Sequence, residues 1–226
     1  MGQYYNPTNL TRRQWLYSHS YDSGLKLMEH SWLKNQFVRA VERLLIPGGA
    51  WHKTRLVWAG DYADNGAHVP KRLQEAYKKW YLKYHAEHAA KYPDQAIPNV
   101  YDLGMGETET VKFKDKEKKV KAPKWAFKEV HPEPLTDAEA KRFHFIVNHT
   151  KKEFVNKNTV PNSKGWRVHP LSLLTSSGNG RGGGDYHPLN DHDVAFVGVW
   201  AGDVISIEEV APKGYTKIKP DFLENW

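Results

Sequence analysis

The sequence contains no cysteine in its 226 residues. This absence excludes disulfide bonds, catalytic thiolates and cysteine-ligated zinc sites. No stretch is apolar enough over about 20 residues to cross a bilayer, and residues 1–15 lack the apolar core of a secretory signal. We therefore expect a cytoplasmic protein with no membrane partner.

The chain also lacks the short motifs that identify common catalytic sites. It has no HExxH or ExxH spacing for a metal, no Gly-Lys-Ser/Thr to complete a Walker loop, and no nucleophile elbow. A Ser/His/Asp triad therefore cannot be assigned. The expectation from these absences leans towards a protein that is not an enzyme and has no cofactor.

Positive charge and aromatic side chains are abundant instead. Lys and Arg number 33 against 26 Asp and Glu, so the net charge is +7 and the pI is about 9.3. The chain has 9 Trp, 12 Tyr and 8 Phe. Basic proteins attract anionic partners, and Trp and Tyr stack on bases as well as filling cores. Together these features predict nucleic acid or a nucleotide-like ligand as the partner.

Two matched pairs of strings indicate an internal duplication. The string WAGD begins at Trp58 and again at Trp200. The pattern N-x-T-(K/R)-(K/R)-(Q/E)-aromatic-aliphatic begins at Asn9 and again at Asn148, which precede the two WAGD strings by 49 and 52 positions. The sequence therefore predicts an α+β fold. Two related, mostly antiparallel β units would form one pseudo-symmetric body, with an α-helical and hairpin insertion.

The chain divides into three segments on this interpretation. Residues 1–66 form the first unit, with a helix expected over 31–45 that Ser31 caps. Residues 67–142 form the insertion. Residues 143–226 form the second unit, in which 197–200 and 204–207 are predicted to pair as a hairpin with Gly202 at its turn.

The insertion is predicted to contain a basic helix and a Lys-rich hairpin. The helix starts near Pro70 and ends before Pro93. Alternating polar and apolar residues over 110–121 favour an exposed hairpin, and the string TDAE at 136–139 is a capping box that opens a short helix. The cationic side chains of the long helix face solvent in the simplest interpretation.

A glycine-rich loop at residues 178–185, GNGRGGGD, is the most unusual stretch. It contains G-x-G-x-x-G, but the sequence after it is poor helix material, so a dinucleotide fold is not supported. Its backbone N–H groups offer a nest for a phosphate, with the guanidinium beside it. The residues predicted to bind an anion are Gly180, Arg181, Gly182, Gly183, Arg12, Arg13, Lys151, Lys152, Lys78 and Lys79.

Carboxylate and imidazole side chains cluster directly after this loop. They are Asp185, His187, Asp191, His192 and Asp193, and they are the candidates for catalysis. Such groups suit a divalent metal ion or acid–base work, and a polar loop explains them equally well. Asp185 and His187 are the first candidates if a metal ion binds. Asp61 and Asp203, the last residues of the two WAGD strings, are expected to accept hydrogen bonds from turn N–H groups.

Several motifs together resemble a known family. The MGQYY start, VNHTKKE at 147–153, HPLSLLT at 169–175, GNGRGGGD and WAGD are similar to motifs of a family of bacteriophage and mobile-element proteins with no established activity. The resemblance covers both ends of the chain and little of the insertion. It implies a phage-type origin and identifies no catalytic residue.

The leading hypothesis from the sequence is a non-enzymatic, phage-type binding protein that engages an anionic partner, as a modulator of a host or defence factor. One alternative is a metal-assisted hydrolase of a phosphate-containing substrate, with a divalent metal ion held by the Asp/His cluster. The other is a protein–protein interaction module that binds a host protein.

Overall fold

A computed structural model describes residues 3–105, 108–113, 116–121, 127–162, 165–178, 185–188 and 194–222. Within these residues the chain forms seven α-helices and eleven strands, nine of them in one sheet. The predicted α+β class is therefore confirmed.

The secondary structure has the following bounds. The strands are β1 (Tyr5–Asn9), β2 (Gln14–Trp15), β3 (Thr54–Gly60), β4 (Thr108–Phe113), β5 (Lys116–Lys121), β6 (Lys128–Glu129), β7 (Phe145–Asn148), β8 (Glu153–Asn156), β9 (Ser176–Ser177), β10 (Val204–Glu208) and β11 (Thr216–Lys217). The helices are α1 (Leu27–His30), α2 (Gln36–Leu45), α3 (Lys71–Tyr84), α4 (Ala86–Lys91), α5 (Val100–Met105), α6 (Asp137–Arg142) and α7 (Pro170–Thr175).

The main sheet is mixed, and most of its pairs are antiparallel. Its order is β11-β8-β7-β10-β3-β1-β2-β6, and β9 also pairs with β3. The pairs from β8 to β2 are antiparallel, whereas β11 with β8, β2 with β6, and β9 with β3 are parallel. Strand β6 comes from the insertion, so the insertion contributes an edge to the sheet.

Strand β3 is the centre of the core because both of its faces are buried. Leu56 and Trp58 pack in the larger apolar cluster, which includes residues of α2 and α7. Val57 and Ala59 point to the other face, where they meet residues of α3 and α5. The alternation follows from the two-residue period of a strand. Burying each of the larger side chains stabilises the fold by about 1.5–3 kcal/mol.

The beginnings of two helices explain where the chain bends. Helix α2 starts at Asn35, whose side chain accepts from the N–H of Val38, and not at the expected cap Ser31. The Ser31 hydroxyl instead donates to the Leu27 carbonyl in α1. Helix α7 starts at a proline, and the His169 side chain accepts from the N–H of Leu171. The capping box at 136–139 and the helix start after Pro70 are confirmed. The helix expected to continue to Pro93 is instead divided at His85 into α3 and α4.

The predicted hairpin between 197–200 and 204–207 is wrong in its first arm. Residues 195–203 form turns and a bend, and only β10 is a strand. The N–H groups of Gly198 and Trp200 donate to the carbonyls of Leu173 and Leu174, at 2.8 and 2.7 Å. These carbonyls lie in the last turn of α7, and the Leu173 carbonyl also accepts from the N–H and the hydroxyl of Ser176. Capping of the helix thus prevails over strand pairing. Gly202 does sit in a turn, with φ of +78°.

The Lys-rich hairpin is present as β4 and β5. The two strands pair antiparallel from Thr108 opposite Lys121 to Phe113 opposite Lys116. The prediction is confirmed, and both strands begin two residues earlier than the sequence indicated.

The turns of hairpins β1–β2 and β7–β8 have matching hydrogen bonds. In the first, Asn9 Oδ1 accepts from the N–H of Arg12 at 2.8 Å. In the second, Asn148 Oδ1 accepts from the N–H of Lys151 at 3.0 Å. These asparagines begin the two copies of the longer string, so the string encodes the same turn twice.

The same two turns also hold the central strands in matching ways. The hydroxyls of Thr11 and Thr150 accept from the N–H groups of Arg55 and Val204, at 3.2 and 3.0 Å. Arg55 and Val204 are themselves paired across β3 and β10. The two halves of the sheet therefore meet at this pair.

The two WAGD strings hold different places in the fold. Trp58 lies inside β3, opposite Pro7, whereas Trp200 lies in the turns before β10. A duplication in which Trp58 and Trp200 hold equivalent places is therefore not confirmed. Along the chain, the first WAGD string follows Arg55, whereas the second precedes Val204. Arg55 and Val204 are paired between β3 and β10.

We expect Asn148→Ala to lower the free energy of unfolding by about 2 kcal/mol. Asn148 is fully buried, accepts from the N–H groups of Thr150 and Lys151, and donates to Asp203 Oδ2 at 2.8 Å. Chemical denaturation measures the loss. Asn158→Ala is the control, because this exposed side chain makes no hydrogen bond among the described residues. Equal losses in the two variants would contradict the assigned role of the turn.

Buried His30 predicts a pH-dependent stability. Its Nδ1 donates to the Gly24 carbonyl at 3.0 Å and its Nε2 accepts from Trp58 Nε1 at 2.9 Å, so the ring is neutral. Burial lowers the pKa of His30 from 6.5 to about 4. Between these values the unfolded chain binds a proton that the folded protein does not. The free energy of unfolding should therefore fall by roughly 3 kcal/mol from this group as the pH drops from 6.5 to 4.

Denaturation at pH 7.5, 6, 5 and 4 tests this prediction. We expect His30→Asn to be less stable at pH 7.5 and to show a flatter pH dependence below 6.5. His187→Asn, which alters an exposed histidine, is expected to keep the full dependence. An unchanged slope in the His30 variant would show that this ring titrates normally.

Candidate functional site

One large cleft opens between α2, α6 and the segment that leads into α7. Its volume is about 970 Å³. The side chains and backbone that line it are Glu29, Trp32, Leu33, Lys34, Asn35, Arg39, Glu42, Asp137, Ala140, Lys141, Lys157, Asn158, Asn162, Gly165, Trp166, Arg167 and His169. The five cationic side chains in this set outnumber the three carboxylates, so the cleft favours an anion.

Backbone pairing builds the aromatic side of the cleft. Residues 31–33 run antiparallel to 167–169: Leu33 N–H donates to the Arg167 carbonyl at 2.9 Å, and His169 N–H donates to the Ser31 carbonyl at 2.8 Å. This pairing brings the rings of Trp32 and Trp166 to 5.5 Å between centroids.

Trp166 is the most exposed aromatic ring among the described residues. Its relative exposure is 60%, although it lies next to the half-buried Trp32. Leaving a tryptophan in water forgoes much of the free energy that its burial would supply. An exposed ring at the mouth of a cleft is typical of a site that stacks on a planar ligand.

The floor of the cleft is a buried ionic cluster of Glu42, Lys157 and His169. All three residues are at most 2% exposed. Glu42 Oε1 accepts from Lys157 Nζ, and it lies 2.9 Å from His169 Nε2. The three residues come from α2, the turn after β8, and the residue before α7. The cluster therefore ties three distant segments of the chain together.

The hydrogen bonds determine the charge states within this ionic cluster. His169 Nδ1 accepts from Leu171 N–H, so the proton is on Nε2 and is donated to Glu42. Burial lowers the pKa of His169 despite the nearby carboxylate, and the ring is neutral. Burial also acts to raise the pKa of Glu42, but Lys157 and His169 together outweigh it and hold that pKa below its ordinary value. The cluster is thus a carboxylate–ammonium pair with a neutral imidazole donor.

Cationic side chains surround the mouth of the cleft. Lys34, Lys141 and Arg167 are exposed, and none of them makes an ion pair within the described part of the chain. Lys34 also has φ of +78°, in the left-handed region that non-glycine residues seldom adopt. Arg39, deeper in the cleft, pairs with Asp137 at 2.6 Å. The rim therefore presents three cations that are available to an anionic ligand.

Those sequence-predicted anion-binding residues that the structure describes lie outside the cleft. Gly180, Arg181, Gly182 and Gly183 are outside the described residues. The turn residues Arg12, Arg13, Lys151 and Lys152 are exposed and none lines the cleft. Arg13 and Lys152 adopt the left-handed backbone conformation in their turns, with φ of 54° and 55°. Lys151 Nζ donates to the Val199 carbonyl at 2.6 Å. Lys78 and Lys79 are exposed on α3, also away from the cleft.

The Asp/His cluster is only partly described. Asp191, His192 and Asp193 lie outside the described residues. Asp185 Oδ1 accepts from the N–H of Met28 at the start of α1, at 3.0 Å, and burial raises the pKa of this carboxyl. His187 is exposed. Among the described residues, no group of three or more His, Asp or Glu side chains is arranged to hold a metal ion.

The two aspartates that end the WAGD strings have different partners. Asp61 Oδ1 accepts from the N–H of Tyr4 at 3.0 Å. Asp203 Oδ2 instead accepts from the Asn148 side chain. The expected backbone N–H donor is present for Asp61. The donor to Asp203 is a side-chain amide, so the expected role is not observed for Asp203.

A second polar network lies along β10. The Ser206 hydroxyl accepts from His149 Nε2 at 2.8 Å and donates to Glu208 Oε1 at 2.7 Å, and His52 Nε2 lies 2.9 Å from the same oxygen. Ser206 is fully buried. Because the Ser206 hydroxyl is buried, no substrate can reach it and it does not act as a nucleophile. The network supports the sheet.

Sequence reasoning missed the cleft, although two signals were present. Glu42 falls on the apolar face of α2, beside Phe37, Val38, Val41 and Leu45, all of which are buried. A carboxylate at such a position requires a buried partner. The other signal was the pair Trp166-Arg167, an aromatic and a cation in a segment that also carries glycine and asparagine.

Comparisons with protein-family models, with curated protein sequences and with solved structures found no match to this chain. Across the described residues, every helix is too short or too polar to span a membrane.

We expect Glu42→Gln to destabilise the protein by about 3–5 kcal/mol, because it leaves the Lys157 ammonium buried without a counter-charge. Thermal and chemical denaturation measure the loss. Glu209→Gln is the matched control: its carboxylate pairs with Arg142 on the surface, at 2.8 Å, and should cost under about 1 kcal/mol. A small loss at Glu42 would mean that the buried pair is not charged.

Proposed function

We propose that the protein is a non-enzymatic binding protein whose cleft takes a nucleotide-like anion. In this proposal the base stacks on Trp166, and the phosphate groups lie against Lys34, Lys141 and Arg167. The observation that carries the proposal is the exposed tryptophan beside three cations that make no ion pair within the described residues. Aromatic stacking and charge-assisted hydrogen bonds are the two interactions by which proteins hold nucleotides.

The size of the cleft supports a small ligand. Ligand pockets commonly have volumes of about 300–1,000 Å³, and this cleft is near the upper end of that range at about 970 Å³. Its rim supplies three cations and the exposed ring of Trp166. A nucleotide needs both, because it is planar and neutral at one end and anionic at the other.

The floor favours binding over catalysis. Glu42, Lys157 and His169 are engaged with one another, and the pKa of His169 lies below the value that suits a general base near pH 7. A metal-assisted hydrolase built on the Asp/His cluster remains a separate prediction that concerns another part of the chain.

The resemblance to bacteriophage and mobile-element proteins supports a phage-type protein that acts in the host cytoplasm and sequesters or senses a host nucleotide. We also propose that the two hairpin units arose by duplication. The matched turns at Asn9 and Asn148 and the central Arg55–Val204 pair support that origin.

Calorimetric titration of the full chain with adenosine and guanosine mono-, di- and triphosphates tests the cleft. We expect Trp166→Ala to weaken binding of the best nucleotide by at least about 10-fold, since stacking on one aromatic ring contributes about 1–3 kcal/mol. Trp166→Phe should restore most of the affinity. Arg167→Ala should weaken triphosphates more than monophosphates, because the lost cation faces the phosphate end.

Two variants outside the cleft serve as controls. Tyr62→Ala removes another exposed ring and Lys213→Ala removes another exposed cation, and both should bind as the wild type does. If no nucleotide binds at millimolar concentration, or if Trp166→Ala binds as tightly as the wild type, the cleft is not a nucleotide site.

A further inference from the structure

We propose that α3 and α4 form a second binding surface, for single-stranded nucleic acid. None of the residues that line the cleft belongs to this surface, so the inference does not depend on the proposed nucleotide site. We call it the insertion surface. It comprises the exposed cations and the aromatic rings of residues 71–92.

Positive charge is in excess on the described residues of the insertion surface. The cations are Lys71, Arg72, Lys78, Lys79, Lys83 and Lys91, and all six are exposed. Only Glu75 and Glu87 carry negative charge in the same two helices. Within the described chain none of the six cations makes an ion pair with a carboxylate. Six unpaired cations on about 20 residues attract a polyanion.

A ladder of aromatic rings runs along the same helices. Tyr77, Tyr81 and His85 are spaced by four residues, and their rings stack with centroids 5.8 and 4.8 Å apart. Beyond them, the rings of His88 and Tyr92 lie 4.9 Å apart. The spacing of four residues places the first three rings on one helix face. The ladder is continuous, because Tyr81 Oη lies 2.8 Å from His88 Nδ1.

Two of the six cations lie against aromatic rings of these helices. Lys83 Nζ is 5.1 Å from the centroid of Tyr84, and Lys91 Nζ is 5.2 Å from that of Tyr92. Tyr92 is 42% exposed, so part of its ring is open to a ligand. Interleaved rings and ammonium groups match a strand whose bases and phosphates alternate along its length.

Other partners fit this surface less well. A membrane surface would require several exposed aliphatic side chains, and among the described residues of the two helices Leu82 is the one large exposed example. A duplex hides its base faces, so the ring ladder would have no role. The adjoining hairpin extends the charge: β4 contacts α3, and the strands β4 and β5 carry five further lysines in sequence.

Fluorescence anisotropy with labelled 25-nucleotide poly(dT) and poly(U) tests the inference on the full chain. We expect binding at about 50 mM salt that weakens roughly 100-fold or more by 200 mM, because each phosphate contact releases counterions. The triple variant Lys78→Ala, Lys79→Ala, Lys83→Ala should reduce the log–log salt slope by about 2, since single strands lose about 0.7 per contact.

The matched control removes the same charge from another place. Lys213→Ala, Lys217→Ala, Lys219→Ala also lowers the net charge by three, at exposed sites around β11, and should bind almost as the wild type does. Tyr92→Ala should weaken binding about 5-fold or more, whereas Tyr4→Ala, at another exposed ring, should not.

The outcomes separate this inference from non-specific attraction. Equal losses in the two lysine triples would show that net charge alone binds the strand and would overturn the proposed surface. Duplex DNA that binds as tightly as poly(dT), with no effect of Tyr92→Ala, would overturn the stacking role. Weaker nucleotide binding after Trp166→Ala, with strand binding unchanged, would show that the two sites are separate.

Discussion

The structure depends on one buried interaction, the ionic cluster of Glu42, Lys157 and His169. Its carboxylate receives two donors from segments more than 100 positions away in the chain. Taking these charges out of water costs several kcal/mol per ion, and only close pairing repays it. Because loss of one partner would leave a buried charge unpaired, the cluster fixes α2 against the turn after β8 and against the start of α7. That fixed geometry is what keeps the cleft open above it.

Local patterns predicted the parts of the fold that local forces determine. The capping box at Thr136 and Glu139 and the helix start after Pro70 were both predicted from the sequence. Each is set by contacts between residues only a few positions apart. The two WAGD strings do not form equivalent structures, because identical residues can form a strand in one place and a turn in another. The turn at Trp200 depends on α7, because carbonyls in the last turn of that helix accept from the N–H groups of Gly198 and Trp200.

The cleft could not be predicted from local sequence patterns, for a physical reason. Its lining comes from three segments around residues 29–42, 137–141 and 157–169, which only tertiary packing brings together. No single segment carries a recognisable motif. The glycine-rich loop has an unusual composition. Glycine-rich composition indicates local backbone freedom, and it does not indicate where distant side chains converge.

The alternation of β3 determines which side of the molecule each site occupies. Trp58 packs on the face that holds Phe37 of α2, and α2 also lines the cleft. Val57 and Ala59 pack on the other face with Leu73 of α3, whose outer side carries the unpaired lysines. Since successive side chains of a strand point in opposite directions, the cleft and the insertion surface lie on opposite faces of the sheet. Binding at one proposed site therefore does not require the residues of the other.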